Sequence, residues 1–164
     1  MPLITRVKLL FQHIFYRKGY IMSIFDCIQK NYRDITFDVN TIHVVSGWCS
    51  SYSRVRIKKE YHCTLKDLLE ILRVATALEH LRDGVDLDYL SHTVGFTSSK
   101  ILRDAFHRRI GMAPSQCRAI LTRADDSSSE RDRLRRMLCI NDRIHMFVSQ
   151  ALSATSEQTY NNVH

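Results

Sequence analysis

The feature that most restricts the fold is a near-repeat. Gly47-Trp48 and Gly95-Phe96 lie 48 residues apart. Each pair follows a short run of helical spacing and precedes a basic one, residues 50–61 and 98–109. Glycine permits a sharp turn, and the aromatic residue after it can wedge between the two helices. That is the anatomy of a helix-turn-helix. Between the repeats, Thr64 and Asp67 form a variant capping box. Leu65, Leu68, Leu69, Leu72, Ala75, Leu78 and Leu81 then follow at helical spacing, up to a stop at Asp83-Gly84.

The flanking segments read the same way. Ile24, Ile28 and Tyr32 mark one face of a helix over 21–33, and Thr36 or Asp38 caps a short helix through Val45. Asp86 or Asp88 caps its counterpart, which holds Leu87, Leu90 and Val94. Gly111 ends the second basic helix, and Pro114 opens another through Leu121. Residues 125–129 read as a polar linker, and 130–152 as one amphipathic helix. Its apolar side holds Leu134, Met137, Leu138, Ile144, Phe147, Val148, Ala151 and Leu152. Residues 153–164 are polar, the composition of a disordered tail.

With 5 Gly and 2 Pro in 164 residues, the expected class is all-α. Two helix-turn-helix units are joined by a long linker helix, with an extra C-terminal helix. The divisions are an N-terminal helical extension (1–20), first unit (21–63), linker helix (64–83), second unit (84–122), and C-terminal region (123–164). The extension carries a stripe of Val7, Leu10, Phe11, Ile14 and Phe15 that packs on the domain or lies on a membrane surface, packing being favoured.

The net charge of +7 suits an anionic partner. No apolar stretch approaches the roughly 20 residues of a membrane span. The five cysteines lack paired spacing and read as reduced thiols of a cytosolic protein. Cys49, His62 and Cys63 are a conceivable metal cluster, but their spacing favours incidental placement. No phosphate loop, catalytic triad or metal motif is present. The expectation is a non-enzyme without catalytic residues, cofactor or metal.

The run Val94-Gly95-Phe96-Thr97-Ser98-Ser99-Lys100-Ile101-Leu102-Arg103-Asp104-Ala105-Phe106, continuing through Gly111, Pro114-Ser115 and Arg118, resembles the AraC/XylS family of bacterial transcription regulators. The family pattern is Gly-Phe, a Ser two residues on, an apolar residue and Phe inside the helix, then Gly, Pro-Ser and aromatic-Arg. Cys117 replaces the last aromatic. Ser46-Gly47-Trp48 and Ile57-Lys58-Lys59 fit the family's first unit more loosely. The resemblance covers about residues 21–120. It leaves no room for an effector domain, so the chain looks like the family's standalone DNA-binding members.

The resemblance implies a cytoplasmic, nucleoid-associated protein that binds double-stranded DNA. A linker helix of about 20 residues would be roughly 30 Å long, near the 34 Å turn of B-DNA. It would hold two recognition helices in successive major grooves. Ser99, Lys100 and Arg103 would face bases, while Ser98, His107 and Arg108 lie along the same surface. In the first unit Ser51, Tyr52, Arg54, Arg56, Lys58 and Lys59 form the corresponding face. Ser53 and Val55 depart from the family's apolar and Arg positions, and Asp104 stands where Arg is frequent. The first unit is therefore expected to clamp phosphates more than read bases. Family analogy favours an activator that touches RNA polymerase. The alternative is a protein-interaction module that docks on another regulator or on RNA polymerase and binds DNA weakly. The C-terminal helix would pack on the domain or form a homodimer.

Overall fold

A helix with a broad apolar face and only a narrow polar edge belongs in the interior, and one such helix organises this chain. In the computed structural model, which describes residues 24–46, 49–81, 84–124 and 126–161, it runs from Leu65 to His80. It buries Leu65, Leu68, Leu69, Ile71, Leu72, Val74, Ala75, Thr76, Ala77 and Leu78. Among the described residues the structure is all-helical. The elements are α1 (24–31), α2 (Val39–Ser46), α3 (Ser50–Tyr61), α4 (Leu65–His80), α5 (Leu87–Thr93), α6 (Ser99–Ile110), α7 (Pro114–Arg123), α8 (Ser127–Leu138) and α9 (Asp142–Asn161). The N-terminal stripe, the Gly47-Trp48 turn and Asp83 fall outside the described residues.

Local chemistry sets most of the boundaries. Asp38 accepts the Thr41 N–H at 2.8 Å to start α2. Thr64 and Asp67 close a full capping box on α4, with bonds of 3.1 Å and 2.9 Å. Asp86, not Asp88, caps α5 by accepting from the Tyr89 N–H at 2.8 Å. Gly111 ends α6 in the left-handed region, with φ +78°. His62 ends α3 in that same region at φ 55°, without the freedom of glycine.

Three expectations need correction. The linker helix ends at His80 because Leu81 turns extended and buries its side chain instead of continuing the helix. At 16 residues it is roughly 24 Å long, shorter than the 30 Å expected. The polar linker is no linker. Asp126 accepts from the Ser128 and Ser129 N–H groups and starts α8 at Ser127. The single C-terminal helix is two, α8 and α9, broken around Cys139–Asn141, and α9 continues through the expected disordered tail to Asn161.

The C-terminal pair is part of the core. Leu134, Leu138, Ile144, Phe147, Val148 and Ala151 are buried, while Met137, expected on that side, is exposed. Arg135 donates to Glu79 of α4 at 2.5 Å. Phe25 of α1 meets Tyr61 of α3 edge-on and Phe147 of α9 at a tilt, with ring centroids 4.8 Å apart in each case. Six of the eight residues of the apolar face offered as a dimer surface are therefore buried within the chain itself.

Candidate nucleic-acid interface

α3 and α6 are the second helices of the two units, and they start 49 residues apart, at Ser50 and Ser99. The Gly-aromatic pairs are 48 apart, so the stretch from the pair to the helix is one residue shorter in the first unit. Aligned by their starts, the helices agree in their main inward and outward places. Inward, Ser53 and Ile57 correspond to Leu102 and Phe106, all four buried. Outward, α3 exposes Ser51, Arg54, Val55, Lys58 and Lys59, and α6 exposes Lys100, Arg103, Asp104, His107 and Arg108 at the same places, with Ile101 exposed beside them. Each set has the i, i+3, i+4, i+7, i+8 spacing of one helical face.

The inward side of α3 is the weaker one. Ser53 has no exposed surface, and its hydroxyl donates to the Cys49 carbonyl at 3.1 Å. This bond satisfies the buried hydroxyl, but the contact that Leu102 gives α6 is missing. Support comes from the far end. Asn141 donates its side-chain N–H to the Tyr61 carbonyl at 2.7 Å, and Arg143 donates to the Glu60 carbonyl at 3.2 Å. Both satisfy carbonyls that a helix C-terminus leaves open. Asn141 also accepts the Ile144 N–H at 3.1 Å, so one side chain ends α3 and starts α9.

α6 is held at both ends. Ser98 is its N-cap, accepting from the Ile101 N–H at 3.4 Å. Ser99 is buried, and its hydroxyl bonds the carboxylate of Asp88, holding that acid below its usual range. At the other end, Arg109 donates to Glu70 at 2.8 Å and to Asp67 at 2.5 Å, and Arg108 donates to Glu70 at 2.9 Å. Burial alone would raise the Asp67 pKa, but the bonds from Arg109 and Thr64 outweigh it and hold it at about 2. The same balance lowers Glu70, where burial opposes the bonds from Arg108 and Arg109.

The structure thus sorts the residues expected at the interface. Ser51, Arg54, Lys58 and Lys59 share one exposed face of α3, and Lys100, Arg103 and His107 share one of α6. Tyr52 is half-buried against the core. Arg56 turns to Glu60, 2.5 Å away. Ser98, Ser99 and Arg108 are engaged by bonds inside the fold. Cys49 and Cys63 flank opposite ends of α3, roughly 18 Å of helix apart, and Cys63 is buried with its thiol pushed up to about 11. Cys49, His62 and Cys63 are therefore not one cluster.

Arg73 carries no signal in the sequence beyond being a cation in an apolar run. It donates to the carbonyls of Tyr32, Asp34 and Phe37 at 2.7, 2.9 and 2.8 Å. Its guanidinium also lies 5.9 Å from the Phe96 ring centroid. One side chain of α4 thus bonds the first unit and touches the turn of the second.

This arrangement of helices is found in two solved structures. One is the C-terminal domain of the two-component response regulator YesN from Fusobacterium nucleatum. It has 22% identity and a TM-score of 0.54, over 58% of this chain and 93% of that one. The other is the C-terminal domain of AraT, a response regulator from Geobacillus stearothermophilus. It has 21% identity and a TM-score of 0.59, over 66% of this chain and 89% of that one. The chain shares its fold with these two domains. No protein-family model and no curated protein matches the chain. Among the described residues, no helix is long and apolar enough to cross a membrane.

Proposed function

We propose that the chain is a sequence-specific transcription regulator that binds double-stranded DNA through α3 and α6. The observation that carries this is the pair of five-place faces in one register. Each lies on the second helix of a helix-turn-helix, and each holds at least two cations. Three of the five places on α3 are cationic, with no acid among them. Such a face draws phosphate and places polar side chains at base edges. The AraC/XylS resemblance and the shared fold with response-regulator domains support the same reading.

In this reading Arg103 and Lys100 read bases in one major groove, while Arg54, Lys58 and Lys59 hold phosphates at the next. The protein activates transcription by touching RNA polymerase, by analogy with the family. Asp104 favours a second reading, because a carboxylate on this face opposes phosphate. In that case the fold docks on another regulator or on RNA polymerase.

A band-shift titration on a random-sequence duplex at low and high salt separates the two. DNA binding that is lost steeply with salt is expected. Absence of binding even at low salt would reject the DNA reading in favour of docking.

A further inference from the structure

Val55 is 69% exposed, and it is the one large apolar side chain that α3 presents to solvent among the described residues. It lies at the centre of a polar face, between Ser51 and Arg54 on one side and Lys58 and Lys59 on the other. The equivalent place on α6 holds Asp104. Neither residue can serve as a phosphate ligand: one has no donor, and the other has the wrong charge. The i+4 place in both units therefore bears a group unsuited to the backbone and suited to a base edge.

Resting on the DNA-binding reading above, the geometry points to Val55 as the specificity-determining residue of the first unit, packing on the C5-methyl group of a thymine in the major groove. That methyl is the apolar group which the major-groove edge of a base pair offers. A β-branched side chain in a helix is confined to essentially one χ1 rotamer, so Val55 is a rigid knob. Its cationic neighbours fit a polyanion. A protein-docking surface would need a contiguous apolar patch, and α3 exposes no second large apolar residue to build one. The first unit then does more than clamp phosphates: it distinguishes thymine from cytosine by one methyl group.

The test uses the full chain and a duplex selected by it from a random pool. Each thymine of the half-site contacted by α3 is replaced singly by deoxyuridine, which removes only the methyl. One replacement is expected to weaken binding roughly three- to tenfold, the scale of burying one methyl. Val55→Ala, a surface change, should lose a similar factor on the thymine duplex. It should show little further loss on the deoxyuridine duplex, because both changes remove the same contact. If every thymine in that half-site tolerates deoxyuridine, or the losses for Val55→Ala and deoxyuridine simply multiply, the assignment is overturned. A random duplex at low salt runs alongside. Binding there with no methyl effect overturns Val55 alone, whereas no binding overturns the DNA reading with it.

Discussion

Gly95 turns its bare α-carbon to the backbone carbonyl of Tyr32. A β-carbon there would stand 2.5 Å from that oxygen and 2.7 Å from Nε of Arg73, on a backbone already at φ +93°. The turn of the second unit is thus seated on the end of α1, and only glycine fits. Gly111 shares the left-handed conformation, at φ +78°, but has open space around it. Gly111→Ala should cost about 1 kcal/mol, the strain of the backbone region alone. Gly95→Ala should cost roughly 3 kcal/mol or more, because backbone atoms must also move. Urea unfolding of both variants checks the difference. Equal losses would mean that the seat on Tyr32 does not constrain the turn.

The clamp on α6 predicts acid sensitivity. Asp67 is held at about 2, below its ordinary 3.8. A carboxylate lowered in the folded state contributes stability that is present above about pH 4 and is lost as pH falls towards 2. After allowance for solvent screening, the contribution is roughly 1–2 kcal/mol. Asp67→Asn should lower stability by that much at pH 7 and flatten the decline between pH 4 and 2. Denaturant midpoints across this range provide the measurement, and an unchanged slope would contradict the assignment.

Asn141 ties the end of α3 to the start of α9. Asn141→Ala removes both bonds and should cost about 1–2 kcal/mol. Hydrogen exchange should show the last turn of α3 opening more readily while α6 keeps its protection. A uniform change across both helices would argue against local support.

The two faces predict different losses on DNA. Arg103→Ala should weaken a selected site by about 1–3 kcal/mol and relax preference at one base pair, as expected for a base-reading arginine. Lys58→Ala should weaken all sequences alike and reduce the salt slope by about one. A sequence-independent loss for Arg103→Ala would place it on phosphate instead.

Most helix boundaries were legible because their causes are local. Thr64, Asp86 and Gly111 cap through bonds or angles within a few residues, and such chemistry is written in the sequence. The break between α8 and α9 was not legible, since no glycine or proline marks it. Asn141 caps α9 locally through the Ile144 N–H, but the bond that ties it to Tyr61, 80 residues away, arises only from tertiary packing. The start of α8 was hidden because serines favour loops unless an acid such as Asp126 turns them into a capped first turn. At the interface, periodicity located the exposed faces. It did not reveal which side chains the fold itself engages, because Glu70, Asp67 and Asp88 meet Arg108, Arg109 and Ser99 only through tertiary packing.

Arg73 has a consequence for any DNA site this chain reads. Three carbonyls of the first unit and the ring of Phe96 converge on one guanidinium, so under the proposed DNA-binding function the two reading heads would be joined through one bar. Such a device measures phase as well as letters. One base pair inserted between the half-sites turns the far one by about 36° and shifts it by about 3.4 Å, given roughly 10 pairs per 34 Å turn. Five pairs place it on the opposite side of the duplex. A flexible tether would recover affinity when ten pairs restore the phase, but a bar of fixed length would not. Affinities for duplexes with one, five and ten inserted pairs would tell a ruler from a leash.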